Sequence, residues 1–563
     1  MSKEREIDVC IIGSGAGGAP VAYALGNAGF SVIVLEAGPR YTPTEYHLAQ
    51  KDWERYPYPL PFIDPKLGRK KDLYTYGETQ PLNPDYKRLR SWSKSQGYFN
   101  NTDRRFPPDI HRAKGVGGTT LHYQGEAHRF SPHGFRTRTL YGVAEDWPIT
   151  YKDLEPYYEK MENLLGVSGL NGNPFKPPRG VFPNPPHELS CASERVKAGF
   201  DKLGLHLWPN SLNIVSTPFE GRPACNYCNG CSLGCMPRAK GSMDVTLIPK
   251  AEATGNVEVR PNSVARKISL NKKGLVDGVI YFDADKIEKR LDARIVVVSA
   301  NALETPRLLL NSKSEAFPDG LANGSGLVGK YFMETIIYSN TVLFTEQIDS
   351  YKGLQIDSRA WDYNETSKEN SFIGGVVFGV SALDLLGPLS YAQRLAPPWG
   401  RAHKDFMTRY FGHAINVFAI GEQLPRKENT ITIDEETKDY YGIPVARVTT
   451  KESTNDLEML SFMQKKCDEI TDAAGAIEKV REFSAYDLSL ISHMGGTCRM
   501  GKDPGKSVLN SYCQSHDVKN LFVVDSSPFV TQGGGDSPSL TIHAVALRAS
   551  DYIIKEAKKG NLL

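Results

Sequence analysis

Two clusters of residues in this chain have the types and spacing to do chemistry. The first is glycine-rich. Gly13, Gly15 and Gly18 lie in the stretch IIGSGAGG, after an apolar run and before a helical pattern of Val21, Ala22, Leu25 and Ala28. In such a strand–turn–helix, the first glycine makes the turn, the second lets backbone approach a pyrophosphate, and the third lets helix pack on strand. The helix N-terminus presents unpaired N–H groups to the anion. A second apolar strand ends at Glu36, where this fold places an acid on a ribose hydroxyl. FAD and NAD both satisfy this reading. The second cluster is Cys225, Cys228, Cys231 and Cys235, four of the nine cysteines within eleven residues. The spacing copies a bacterial ferredoxin run, although there the fourth cysteine serves a different cluster. Structural zinc is an alternative, usually with better-separated pairs. Disulfides or free thiols are the remaining readings, with disulfides disfavoured in the cytosol.

These residues need a large frame. The 563 residues exceed one ordinary core and predict roughly two to four domains. Hydrophobic content of 40% and charged content of 23% are those of a globular protein. A net charge of +2 gives no basic field for nucleic acid. No apolar run approaches the ~18 residues of a membrane helix. The N-terminal MSKEREIDVC enters the first strand almost at once, leaving no room for a signal peptide. The expectation is a protein that is not an integral membrane protein, and is cytoplasmic or exported with a partner.

Along the chain, residues 41–104 are rich in Tyr, Pro, Lys and Arg without a sustained period, and read as a surface excursion. A second glycine loop follows at Gly115, Gly117 and Gly118, continuing through Thr119 and Thr120 to His122. Helices are expected over 151–166, 191–203 and 453–474, and from Thr305–Pro306. A hairpin turns at Lys272–Gly274, and a buried strand covers 295–298. From about 335 to 450, runs at 336–345, 372–381, 413–422, 430–434 and 444–449 read as antiparallel strands. The last 75 or so residues contain HMGGTCRMG, a strand ending at Asp525, and a loop entering a helix near Pro538.

The N-terminal GSGAGG, Glu36, GVGGTTLHYQG, ANALETPRLLLNS, HMGGTCRMG, the stretch from Asp525 to Phe529 and the terminal SPSLTIHA occur in that order. Together they resemble the glucose–methanol–choline family of flavin oxidoreductases, in the branch of pyranose oxidase and the bacterial sugar, gluconate and glycoside dehydrogenases. The resemblance spans the whole chain and is weakest in the substrate region. It implies an α/β fold: a discontinuous Rossmann-like FAD-binding domain (residues 1–40, 105–165, 236–334 and 488–563) and an antiparallel-sheet substrate-binding domain (335–487). Residues 166–235 connect the two and carry the cysteines. The first glycine motif would hold the FAD diphosphate and Glu36 the ribose. The loop of Gly117, Gly118 and Thr119 would pass the flavin, and Asp525 would sit near the diphosphate or ribityl chain. The helix starting at Pro538 would aim its positive end at the flavin's pyrimidine edge.

The resemblance also assigns chemistry. His493 matches the family's catalytic histidine, and a neutral imidazole suits removal of a hydroxyl proton as hydride leaves carbon. Its usual Asn or His partner is replaced by Ser537, with Asp536 as an alternative; His543 is placed behind the site. His122 resembles the histidine that carries FAD covalently in pyranose oxidase, a link many relatives lack. Pro223-Ala224-Cys225, Cys231 and Cys235 match a stretch that ligates an iron–sulfur cluster in related dehydrogenases, while Cys228 departs from it. This favours a 3Fe-4S or 4Fe-4S cluster. The implied activity is oxidation of a sugar or glycoside ring hydroxyl, with C3 the candidate carbon. A small signal-bearing subunit and a cytochrome c acceptor are the implied partners. An oxygen-dependent oxidase making peroxide is the alternative. Trp361, Trp399, Tyr391 and Tyr410 are candidates to stack on a sugar, against the ordinary reading of core aromatics.

Overall fold

The computed structural model describes residues 7–45, 74–76, 80–368, 370–382 and 387–562. In chain order, the elements that build the site are β1 (Ile7–Ile12), α1 (Gly18–Asn27), β2 (Val32–Leu35), β3 (Val257–Arg260), β4 (Glu288–Val298) and β5 (Thr335–Leu343). They continue with β6 (Ser358–Tyr363), β7 (Val376–Ser381), β8 (Ala414–Glu422), α2 (Thr454–Ala473), β9 (Glu478–Ser484), β10 (Leu521–Val523) and α3 (Ser539–Lys558). The fold is mixed α/β.

The apolar runs of β1, β2 and the second half of β4 are buried on both faces, as parallel strands covered by helices must be. They pair in parallel in the order β3-β2-β1-β4, and β10 adds to β4 with Val298 opposite Val523. The first half of β4 instead pairs antiparallel with the hairpin of Val264–Leu270 and Val276–Phe282, turning where Gly274 was expected. One strand thus joins two sheets. β1 comes from the N-terminal end of the chain and β10 from the C-terminal end, and both pair with β4.

The larger sheet is antiparallel, with β9-β5-β8-β7-β6 at its centre. Its strands alternate. Ile336, Tyr338 and Val342 of β5, with Val417 and Ala419 of β8, pack on Met459, Leu460 and Met463 of α2. The other face turns to the cavity described below. Truncating a buried methionine such as Met463 to alanine costs about 2–5 kcal/mol by transfer and cavity terms.

Three expectations are corrected. Part of 41–104 (46–73 and 77–79) lies outside the described residues, but Leu89 is buried and Trp92–Ser93 pairs with β9. The stretch at Trp92–Ser93 is therefore part of the large sheet rather than a surface excursion. Strands Thr430–Lys438 and Pro444–Thr449 leave the large sheet and form a three-stranded one with Tyr74–Tyr76. The helix expected from Thr305–Pro306 begins at Asn301, because Asn301 Oδ1 accepts from the backbone N–H groups of Leu303 and Glu304. The helices Tyr151–Leu165 and Cys191–Lys202 lie where their periodicity places them.

Candidate active site

One cavity of about 580 Å³ runs from the end of β1 to the face of the antiparallel sheet. Its first half is built by the two glycine loops. Gly13 has φ +98°, and a Cβ there would lie 2.3 Å from Ser299 O. Gly118 has φ +56°, and its Cβ would lie 2.8 Å from Gly15 Cα. The loops therefore touch, and side chains at either point would part them. Gly18 packs α1 on the turn, since a Cβ there would fall on Gly13 O. Ser14 links the loops: its Oγ donates to Glu36 Oε2 at 2.7 Å and accepts from Gly117 N at 3.0 Å. Glu36 also accepts from Gly38 N and Gly115 N. Burial pushes its carboxyl up, against these hydrogen bonds.

Asp525 lies two residues past the end of β10 and lines the cavity, accepting from Ser527 N at 2.7 Å and Asn301 N at 3.0 Å. His543 lies one turn into α3, where its ring bonds to Ala16 O at 2.7 Å and steadies the first glycine loop from behind. Pro538 caps α3 and lines the cavity beside Ser537. Thr119 and His122 line it from the second glycine loop. Burial, with His111 and Lys240 nearby, lowers the His122 imidazole to about 3.

His493 sits at the other half. Its Nδ1 lies 3.2 Å from Thr335 Oγ1, and its Nε2 has no hydrogen-bond partner among the described residues. Burial lowers the imidazole to about 4; Glu126 opposes this, while Arg359 and His128 add to it. The ring is neutral at neutral pH. Ser537 shares the cavity and gives its backbone N–H to His128 Nδ1 at 3.1 Å. Asp536 points elsewhere: it takes Trp361 Nε1–H at 2.8 Å and pairs with Lys176. Burial would raise its carboxyl, but Lys176 and His128 hold it well below the usual range.

Residues 109–329 and 425–546 match the two GMC oxidoreductase family profiles. A 2-methyl-1,2-propanediol dehydrogenase of Mycolicibacterium austroafricanum is 35% identical, covering 97% of this chain and 95% of its own length. The chain is a GMC oxidoreductase. A fructose dehydrogenase large subunit of Gluconobacter japonicus is 28% identical over the full length of both proteins. The fold is also that of a solved pyridoxine 4-oxidase from Mesorbium loti, with a TM-score of 0.62, 18% identity, and coverage of 97% and 99%.

The cofactor of a GMC oxidoreductase is FAD, and the residues here fit it. The touching glycine loops leave an uncrowded cradle, and Ser299 Oγ lines it, buried and without a partner among the described residues. The cysteine loop does not fit a preformed cluster. Cys231 is buried, Cys225 and Cys235 are half-buried, and Cys228 is exposed. Among the described residues no three His, Cys, Asp or Glu side chains are grouped to hold a metal ion. Burial, with the nearby Cys235 and Cys228, pushes the Cys225 thiol up to about 11 against the hydrogen bond from Tyr227 N. The loop nevertheless borders the site: Lys240 Nζ donates to Leu121 O, Tyr123 O and Cys231 O.

None of the four aromatics expected to stack on substrate lines the cavity of this GMC oxidoreductase. Trp361 holds Asp536, Tyr391 is in the core, and Trp399 is 83% exposed. Phe418 and Phe483 line it instead.

Sequence reasoning also missed a buried chain of polar groups. Arg359 Nε and Nη2 clamp Glu126, at 2.7 and 2.8 Å. Asn210 Nδ2 donates to Glu126 Oε1 at 2.9 Å, and His128 Nε2 lies 2.8 Å from Asn210 Oδ1. The chain ends at the Ser537 backbone. Its sequence signal was the alternation of Glu126 and His128 after the second glycine loop.

Proposed function

We propose that this enzyme oxidises a ring hydroxyl of a sugar or glycoside to the ketone, with C3 the candidate carbon, and gives the electrons to an external acceptor. The observation that carries the reading is His493, a neutral imidazole with Nδ1 tied to Thr335, in the cavity that begins at the glycine loops. With Nδ1–H donating to Thr335, Nε2 keeps a lone pair for the hydroxyl proton. FAD, when bound, supplies the acceptor for the hydride leaving carbon. Gly13, Gly15, Gly18 and Glu36 would hold its ADP half, and Gly117, Gly118, Thr119, Asp525 and Pro538 would border the rest. Ser537 orients the substrate oxygen by one hydrogen bond, positioned through His128.

A dehydrogenase is supported by two similar proteins whose names are dehydrogenases, one of them a large subunit. By analogy, a small subunit carrying the export signal and a cytochrome c complete the assembly, which would then act in the periplasm. An iron–sulfur cluster on Cys225, Cys228, Cys231 and Cys235 rests on their spacing and on the resemblance of Cys225, Cys231 and Cys235 to a cluster-ligating stretch, so no electron step is assigned to it. A short branched diol is a second reading. It is favoured by Ile337 and Ile420 in the cavity and by the diol dehydrogenase similarity.

The test is an absorbance spectrum of purified protein with iron and sulfide analysis, repeated after anaerobic addition of sugars and diols. Bleaching by a sugar supports the reading. Bleaching by diols alone replaces the substrate. Peroxide formed in step with substrate in air replaces the acceptor.

A further inference from the structure

Alternate residues of a strand share a face and step ~7 Å along it. On β5, Thr335 touches His493, and the residues that follow on its face are Ile337, Ser339 and Thr341. The register extends each into a row across the sheet. Ile337 lies opposite Ile420. Ser339 lies between Phe418 and Phe483. Thr341 lies between Asn416 and Arg481, and Asn416 is followed by Ser381. The cavity roof is thus layered: apolar ~7 Å from Thr335, aromatic around one hydroxyl at ~14 Å, and polar at ~20 Å.

The polar groups are set for a ligand. Asn416 Nδ2 donates to Asn340 O at 3.2 Å and Thr341 Oγ1 at 3.0 Å, which fixes the amide. Its Oδ1 and the Ser339 Oγ have no hydrogen-bond partner among the described residues, although the two residues are only 4% and 6% exposed. Both line the cavity, with Arg481 beside them. Both atoms open to the cavity rather than to a protein partner, so a ligand hydroxyl there can pair with them. A single ring held at His493 meets isoleucine and phenylalanine on this roof, which suit the apolar face of a sugar but satisfy none of its hydroxyls.

We infer that Ser339, Asn416 and Arg481 form a distal subsite for hydroxyls, and that the substrate is an extended one, such as a disaccharide, oxidised on the unit nearer His493. This deepens the sugar reading and rests on it. In this arrangement Asn416 Oδ1 accepts from one hydroxyl of the distal unit and Ser339 Oγ donates to another, with Arg481 bordering them.

The experiment compares a methyl glycoside with the matching disaccharide, using holoenzyme and the variants Asn416→Ala and Ser339→Ala. FAD absorbance per chain verifies folding. The expected result is a preference for the disaccharide in kcat/KM that falls about tenfold in Asn416→Ala through KM, the loss of one hydrogen bond. Ser339→Ala, which removes a single oxygen, moves the preference the same way. An unaltered preference in both variants overturns the subsite, as does an equal loss for both substrates. Wild-type enzyme that oxidises neither sugar, but bleaches with other alcohols, contradicts the sugar reading instead.

Discussion

A base beside a hydride acceptor has to be neutral before it can work. His493, the base proposed above, meets that condition by burial, which leaves its imidazole at about 4. The enzyme's kcat/KM is therefore expected to hold level across neutral pH and to fall as the pH drops through about 4, measured with a saturating acceptor. The same shift affects stability. The unfolded imidazole, near 6.5, takes a proton before the native one, so His493 contributes stability above about 6.5 that is lost as the pH falls toward 4. Thr335→Val removes the partner of Nδ1 and lets the ring turn; kcat should fall about tenfold while FAD content holds, read by flavin reduction under anaerobic conditions. Glu126 raises the basicity of His493 and is itself held near 2 against the cost of burial, chiefly by Arg359. Glu126→Gln leaves the Arg359 charge buried and unpaired. The expected cost is about 3–5 kcal/mol in a urea melt, with the acid limb of the pH profile moved lower. An unchanged midpoint would contradict a role for this pair in stability.

At the scale of elements, the contact between the two glycine loops carries the proposed cofactor site. Gly118→Ala would place a Cβ 2.8 Å from Gly15 Cα on a left-handed backbone. The purified variant is expected to have much less FAD per chain than wild type, by absorbance ratio, and equal loading would contradict the cradle. This part of the site was legible in the sequence, because a glycine motif, a strand and a terminal acid are local and report one turn geometry. The strands β5 and β8 were legible as short apolar runs rich in β-branched and aromatic residues. β9 and β6 were not, since charged Glu478, Lys479, Arg481 and Glu482 mask one, and Arg359 and Asp362 the other. Face is the quantity a sequence run hides most. Trp361 and Phe418 both sit on strands of this sheet, yet one holds Asp536 and the other lines the cavity.

Across the whole molecule, the site joins residues far apart in the chain. Arg359 and Glu126 are 233 positions apart, and Ser537 and His128 are 409. No local pattern encodes such pairs, which is why motifs nominate His493 and Ser537 as candidates but not the chain of groups that holds the Ser537 backbone. The same long-range construction makes the cofactor a structural tie. β1 and β10 flank β4, and both glycine loops close on one cavity. A ligand bound only by the native state stabilises it by about 4 kcal/mol at a thousandfold excess over Kd. FAD removal should therefore lower the melting temperature, and added FAD should restore it. Among the described residues no helix is long and apolar enough to cross a membrane. The most direct test of the central claim is anaerobic stopped-flow reduction of the FAD-loaded enzyme by a sugar, with His493→Ala alongside. Wild-type enzyme is expected to bleach its oxidised flavin, and the variant to keep its FAD but react about 10²–10⁴ more slowly. Equal rates in the two proteins would contradict the claim.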